Sequence, residues 1–139
     1  MMTRVRVFVA GLLAAAVLFG AVTLVALEGR EVVVVRTIDD AGVARETRTW
    51  VADEGGVSWL EAATPDRPFL RHIAPRPDVE MRRAGTWRRC RATPVANPAG
   101  HDRIRRLLAA RYGWADWWVG LLTDTSQSSA VQLYCAAPS

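Results

Sequence analysis

An uncharged run of 21 residues, from Val7 to Leu27, constrains this 139-residue chain more than any other feature. As a helix it would be about 32 Å long at about 1.5 Å per residue, which is enough to cross a hydrocarbon core of about 30 Å. Arg4 and Arg6 precede the run, so the positive-inside rule predicts a cytoplasmic N-terminus at 1–6 and an exported domain at 28–139. The run therefore predicts a single-pass protein of the inner (cytoplasmic) membrane with a periplasmic C-terminal domain.

A cleavable signal peptide shares the charged start and the apolar centre, and it is the main alternative. Its apolar region is usually only about 7–15 residues long, and no clear Ala-x-Ala cleavage pattern precedes Glu28. A helix lying in the membrane interface would need a polar face, which this run lacks. The sequence favours a membrane anchor and leaves open whether the helix is cleaved.

The charged residues exclude several kinds of chemistry. All 18 basic residues are arginine, so the chain has neither a lysine for a Schiff base nor a P-loop lysine. Five arginines are interleaved with acids instead of forming a basic stripe: Arg36, Arg45, Arg48, Arg67 and Arg71. No nucleic-acid module is recognisable, so no nucleic-acid partner is expected. The only histidines, His72 and His101, have no neighbouring ligands at a metal spacing, and no metal site is predicted.

Residues 28–139 have the pattern of a mainly β, α+β domain. β-Branched and aromatic runs separated by turn residues predict strands, and helical spacing of apolar residues appears after Pro98. Strands are predicted at 32–35, 43–52, 57–60, 79–83, 86–95 and 130–135, and helices at 69–73, after Pro98 and at 114–122. So many strands in so short a domain predict a small barrel with flanking helices.

Two sets of polar residues are candidates for binding an anion. Arg45 and Thr47 alternate onto one face of the second strand, where a guanidinium and a hydroxyl could both meet a phosphate. An exposed strand face that pairs with acids such as Glu31 is the alternative. Arg67 and Arg71 flank the start of the first short helix, where they are either an anion site or solvated charges.

Two further features each have two interpretations. Trp114, Trp117 and Trp118 share a helical face, which would either pack in a core or lie at the membrane interface, where tryptophan is enriched. Cys90 and Cys135 are the only cysteines and lie on two predicted strands. In an exported domain they are candidates for a disulfide, and the alternative is two small buried hydrophobic side chains.

Three stretches resemble the flavin/deazaflavin-dependent nitroreductase family, whose split β-barrel is also that of pyridoxamine-phosphate oxidases. Ala41–Arg48 is similar to the family's Ser-Gly-x-x-Arg-x-Thr entry to the second strand, and His72–Met81 to the passage out of its short helix. Ala109–Asp116 is similar to its late helix, which often ends in a tyrosine–glycine pair. The resemblance covers residues 32–136 and rests on the order and spacing of these motifs.

The resemblance implies a barrel that binds FMN or the deazaflavin F-420 and passes hydride or electrons to a nitro compound or a quinone. It also implies membrane association through an N-terminal helix in some members and, often, a homodimer with the site at its interface. Carried over by position, the cofactor-binding residues would be Arg45 and Thr47 on the phosphate side, the backbone of Glu61, Ala62 and Ala63 along the ring, and Arg67 and Phe69 in the loop over it.

The chain departs from the family where the phosphate would bind, because Ile38-Asp39-Asp40 replaces the common Gly-Arg-Lys. Two hypotheses follow. The first is a membrane-anchored oxidoreductase that uses a flavin or deazaflavin, as the retained Gly42, Arg45 and Thr47 favour. The second is a barrel without a cofactor that serves as a binding module or accessory subunit of a membrane complex, as the two aspartates favour.

Overall fold

The computed structural model describes residues 2–28 and 30–137. Residue 1 of the predicted N-terminal segment, and Gly29, Pro138 and Ser139 of the predicted domain, lie outside the described residues. The elements are, in chain order, α1 (Met2–Glu28), β1 (Val32–Ile38), β2 (Ala44–Glu54), β3 (Val57–Ala62), α2 (Pro68–Ile73), β4 (Asp78–Arg83), β5 (Thr86–Val95), α3 (Ala99–Tyr112), α4 (Trp114–Leu122) and β6 (Ser129–Cys135). Every predicted strand and helix of the domain is present, with bounds that differ by a few residues at most.

Helix α1 contains the apolar run, and its segment Arg4–Glu28 is long and apolar enough to cross a membrane. Side chains of α1 from Arg4 to Phe19 are exposed, and only the last turns reach the rest of the chain, where Ala26 is buried. The helix therefore projects from the domain for most of its length.

Charged side chains tie the end of α1 to the barrel. The Nε of Arg30 donates to the carbonyl of Ala26 at 3.0 Å, which satisfies one of the free acceptors at the helix C-terminus. The Arg30 guanidinium also stacks on the ring of Trp50, 3.7 Å from its centroid. The next residue, Glu31, accepts two hydrogen bonds from Arg83, at 2.6 and 2.7 Å. These contacts fix the direction in which α1 leaves the domain.

The six strands form a closed barrel with the order β1-β2-β3-β6-β5-β4, in which every neighbouring pair is antiparallel. Tight turns with glycine at positive φ, such as Gly42 (77°) and Gly85 (80°), make its hairpins short. The core is formed by inward-facing strand residues together with two residues of α2: Val33, Val35, Val51, Leu60, Ala62, Phe69, Ile73, Val79, Met81, Cys90, Ala92, Val131 and Leu133. Helix α2 thus packs its apolar side into the barrel interior.

Helix α3 covers the outside of the barrel across β2, β3 and β6. Its Ile104 and Leu108 are fully buried in a second apolar cluster with Ala52, Trp59 and Ala130. At its first turn Gly100 lies so close to β5 that an added Cβ would stand 1.8 Å from the carbonyl oxygen of Val95. Only glycine permits this approach of helix and strand backbones.

Cys90 and Cys135 lie opposite each other across β5 and β6, and their sulfur atoms are bonded. Their Cα atoms are 3.9 Å apart, well inside the separation of about 7 Å beyond which a bridge cannot form. The disulfide closes the end of the chain onto the barrel.

Candidate functional site

The barrel wall opens between β2 and β3. These strands pair only from Val51–Leu60 to Glu54–Val57. Earlier residues of β2 pair with β1, and the end of β3 pairs with β6, so the two strands separate at this point. The Oγ1 of Thr49 donates a long hydrogen bond of 3.4 Å to the carbonyl of Glu61 across the start of the opening. The split of the barrel is therefore located between Thr49 and Glu61.

A cavity of about 210 Å³ lies at this split, and α4 and the segment after it cover one side. Pockets that enclose a whole drug-sized ligand have about 300–1,000 Å³, so the cavity suits one end of a larger molecule. Its lining residues are Thr49, Trp50, Glu61, Ala63, Arg67, Arg105, Asp116, Val119, Gly120, Thr123, Asp124 and Thr125. We take this cavity, called the split cavity below, as the candidate site.

The structure brings together some of the predicted cofactor-binding residues and separates others. Glu61, Ala63 and Arg67 line the split cavity. The side chains of Ala62 and Phe69 lie instead in the barrel core, 0% and 4% exposed. Ala62 points inward because side chains alternate along β3, and Phe69 does so because α2 begins at Pro68 and turns its apolar side into the barrel. Neither side chain is available to a ligand in the split, but the prediction for Ala62 concerns its backbone and is not affected.

Arg45 and Thr47 lie outside the split cavity but on the strand face that leads to it. Alternation along β2 puts them on the same side as Thr49, and Arg45 is about 13 Å from Thr49 at about 3.3 Å per residue. The Arg45 side chain is 59% exposed. Its two Nη atoms make no hydrogen bond within the described part of the chain. The face thus presents a guanidinium, a hydroxyl and then the cavity, in that order.

Asp39 compensates the charge of Arg45. The Nε of Arg45 donates to Oδ2 of Asp39 at 2.7 Å. The other oxygen, Oδ1, accepts the backbone N–H groups of Ala41 and Val43, which closes the β1–β2 turn. The hydrogen bond from Arg45 and those from the turn hold the pKa of the Asp39 carboxyl below its usual value, so it is ionised at neutral pH. Asp40, by contrast, is almost fully exposed and lies 3.7 Å from Arg76.

Buried ion pairs form the wall of the split cavity beneath α4. Arg105 of α3 donates to Oε2 of Glu61 at 3.2 Å and to Oδ2 of Asp116 at 2.6 Å. Asp116 is only 4% exposed, although it lies in the otherwise apolar helix α4. Burial lowers the pKa of the Arg30 guanidinium, and the negative charge of Asp116 opposes this effect only in part. At the wall itself, Arg105 is thus shared between the carboxylates of Glu61 and Asp116.

Asp116 and Arg105 are site residues that the sequence analysis missed. Asp116 had a recognisable signal, since a single acid inside Trp-Ala-Asp-Trp-Trp-Val-Gly-Leu-Leu must be exposed or paired. No sequence signal distinguishes Arg105, because it is one of three arginines within four residues of α3. Of the arginines that line the cavity, Arg67 has no ion pair among the described residues.

Other polar positions have structural partners. Nδ1 of His72 lies 2.9 Å from Oγ1 of the buried Thr37, and Nδ1 of His101 lies 2.8 Å from Oγ of the buried Ser128. Within residues 2–28 and 30–137 there is no group of three or more His, Cys, Asp or Glu side chains able to hold a metal ion. A more open groove of about 580 Å³ is lined by residues of β1, β4, β5 and the end of β6, and none of the predicted cofactor-binding residues lines it.

Comparison with solved structures shows which proteins share this fold. An F420 reductase superposes with a TM-score of 0.56 at 21% identity, over 79% of this chain and 90% of its own. An FAD-binding protein from Mesorhizobium loti gives 0.52 at 14% identity, over 77% and 82% of the two chains. The heme storage protein HutZ from Vibrio cholerae gives 0.54 at 12% identity, over 79% and 84%.

No protein-family model matches the chain, and no curated protein matches it in sequence. At these identities the likeness establishes the fold. The chain is a six-stranded split β-barrel of the kind found in F420 reductases and flavin-binding proteins, as the resemblance of its motifs implied.

Proposed function

We propose that this protein is a membrane-anchored split-barrel oxidoreductase that binds a flavin or deazaflavin at the split and reduces a quinone or a nitro compound. The observation that carries the proposal is the β2 face on which Arg45, Thr47 and Thr49 lead into the split cavity. FMN and F-420 are both elongated molecules with a planar ring at one end and phosphate at a distance from it. A charged group outside a small cavity suits that arrangement.

The chain's own residues would have distinct roles in holding such a molecule. The free Nη atoms of Arg45 would donate charge-assisted hydrogen bonds to the phosphate, and the Thr47 hydroxyl would bind beside them. At the cavity wall Arg105 is already shared between Glu61 and Asp116, so it is not free to bind a phosphate, which favours the uncharged ring at this end, and Arg67 is available at the rim. A bound flavin or deazaflavin would supply the hydride or electron transfer, and the protein its position and surroundings.

A second candidate function is a cofactor-free barrel that acts as an accessory or binding subunit of a membrane complex. The ion pair between Asp39 and Arg45 favours it, because a phosphate would have to compete with a carboxylate already in place. The Arg45 side chain is 59% exposed and ion pairs at the surface are weak, so a phosphate can compete with the carboxylate. For this reason we rank the oxidoreductase first.

Titration of the detergent-solubilised full-length protein with FMN and with F-420 distinguishes the two functions. We expect Arg45→Ala to weaken binding about ten- to a hundredfold, the effect of losing a hydrogen bond to a charged group. Arg48→Ala is the matched control, because it removes an exposed arginine from the opposite face of β2 and should leave binding unchanged. Asp39→Asn should strengthen binding severalfold, since it frees Arg45 and keeps the Oδ1 that closes the turn.

The absorbance of the purified protein is a first check, because bound flavin absorbs visible light. If the wild-type protein binds neither cofactor, and neither Asp39→Asn nor Asp40→Lys restores binding, the oxidoreductase proposal is wrong. The accessory-subunit function would then be the better account of the same barrel.

The membrane anchor has its own test. We expect α1 to cross the inner membrane with its N-terminus in the cytoplasm and the barrel outside, since Arg4 and Arg6 precede the apolar run Val7–Leu27. A reporter that is active only outside the cytoplasm should be active when fused after Ser139, a residue outside the described part. Activity of a strictly cytoplasmic reporter at the same position would contradict this topology. The Arg4→Glu/Arg6→Glu variant should reduce the fraction of chains with the N-terminus in the cytoplasm.

A further inference from the structure

Helix α4 presents an apolar face to the surroundings of the protein. Trp114, Trp117 and Leu121 lie on one side of the helix, at spacings of three and four residues, and are 56%, 64% and 62% exposed. Leu122 at the helix end is also exposed. The core-packing interpretation of the tryptophans is therefore wrong for Trp114 and Trp117. A face of this kind in a water-soluble protein marks an interaction surface.

The exposed side of α4 carries no charge. The one charged residue of the helix, Asp116, is buried on the opposite side and pairs with Arg105. An ordinary surface helix would place its charged residues outward and its large apolar residues inward. Helix α4 does the reverse, which favours an apolar medium as the neighbour of its outer face.

Helix α4 is joined to α1 through Trp118. The Nε1 of Trp118 donates to Oγ1 of Thr23 at 3.1 Å, and its ring lies 5.5 Å from the ring of Phe19 between centroids. The position of α4 along α1 is therefore set by two residues inside the apolar run. The contacts of Arg30 and Glu31 with the barrel hold the same geometry from the other side.

The position of these contacts gives the depth of α4. The run Val7–Leu27 is about 32 Å long as a helix, so a span of about 30 Å uses nearly all of it. Thr23 and Phe19 precede Leu27 by four and eight residues, which puts them about 6 and 12 Å below the end of the run. Interfacial helices bury their apolar faces about 5–10 Å into the boundary between headgroups and acyl chains. A helix that contacts both residues lies at that depth.

We propose that α4 is a second membrane contact, lying in the bilayer interface beside the exit of α1 with Trp114, Trp117 and Leu121 among the lipids. The inference rests on the membrane anchor proposed above. Val119 and Gly120 of α4 also line the split cavity. With α4 in the interface, the cavity lies within about one helix diameter, about 10 Å, of the lipid surface. A lipid-soluble substrate would then reach the site from the bilayer.

Quenching of tryptophan fluorescence by brominated lipid tests directly whether α4 lies in the bilayer interface. The full-length protein is reconstituted in phosphatidylcholine vesicles whose acyl chains carry bromine close to the headgroup. Helix α1 has no tryptophan, so quenching reports the domain. We expect strong quenching of the wild type and loss of most of it in Trp114→Phe/Trp117→Phe. Trp59→Phe is the matched control, because Trp59 is buried beneath α3. Its removal should leave unchanged the part of the emission that the brominated lipid quenches.

Alkaline extraction of the same vesicles tests the membrane anchor α1 separately from the interfacial position of α4. If the protein resists extraction but Trp114→Phe/Trp117→Phe is quenched as strongly as the wild type, α4 is outside the bilayer and the inference is wrong. If the protein is extracted, the anchor is wrong and the inference falls with it. A photo-crosslinker placed at Trp117 should label lipid, and a crosslinked dimer would assign the face to a second copy of the chain instead.

Discussion

Replacing both cysteines of the Cys90–Cys135 disulfide by alanine is expected to lower the free energy of unfolding by about 4 kcal/mol. The bridge joins residues 45 apart in sequence, and closing a loop of that size removes about this much conformational freedom from the unfolded chain. In a domain of this size the loss corresponds to a fall in Tm of about 15 °C or more. Thermal unfolding of the detergent-solubilised protein, followed by near-ultraviolet circular dichroism, measures it.

Reduction of the wild-type protein is the control for this prediction. Reduced wild type should unfold close to the Tm of Cys90→Ala/Cys135→Ala, because both lack the same constraint. Cys90 is buried in the barrel core, so the alanine variant also loses some packing and should be slightly the less stable of the two. A variant with a Tm equal to that of the oxidised wild type would show that the bridge adds nothing to stability.

The second large effect is expected from Asp116→Ala, which should destabilise the domain by about 3 kcal/mol or more. The substitution leaves Arg105 with only its longer ion pair to Glu61, so the charge of a largely buried guanidinium is no longer fully compensated. Removing one partner of a buried ion pair is costly because the remaining charge is still held out of water. Denaturant unfolding of the variant in detergent gives the change in free energy.

An exposed ion pair of the same barrel provides the matched control. Asp78 and Arg91 are paired at 3.2 Å with both side chains largely exposed, so Asp78→Ala should cost less than about 1 kcal/mol. Replacing both partners, in Arg105→Met/Asp116→Leu, should recover part of the stability lost in Asp116→Ala. If Asp116→Ala costs no more than Asp78→Ala, the pair beneath α4 is not the structural link that its burial indicates.

Local patterns predicted the secondary structure of the domain closely. The hairpin of β4 and β5 was predicted at 79–83 and 86–95, and it is found at Asp78–Arg83 and Thr86–Val95. Ala84 and Gly85 between them both have positive φ, as the turn composition indicates. The last helix was predicted at 114–122, and α4 is found at Trp114–Leu122, directly after Gly113. Such features depend on residues that are close neighbours in sequence.

The candidate site could be predicted only in part, since its residues come from distant segments. The motif at Ala41–Arg48 located the strand face with Arg45 and Thr47, but not the ion pair of Arg45 with Asp39 across the turn. Nothing local indicates that Arg105 joins Glu61 to Asp116, which are separated by 55 residues of chain. Phe69 was misplaced for the same reason, because its side depends on how α2 enters the barrel.

The sequence by itself determined the apolar run Val7–Leu27, the six strands, the helices and the pair of cysteines available for a bridge. These follow from composition and period, which act within one or two turns of helix or one hairpin. Only the tertiary structure decided where the barrel splits, which charges compensate each other there and which face of α4 is left uncovered. Those outcomes depend on contacts between segments far apart in the chain, and a charge or an apolar side chain has no fixed partner until the packing around it is complete.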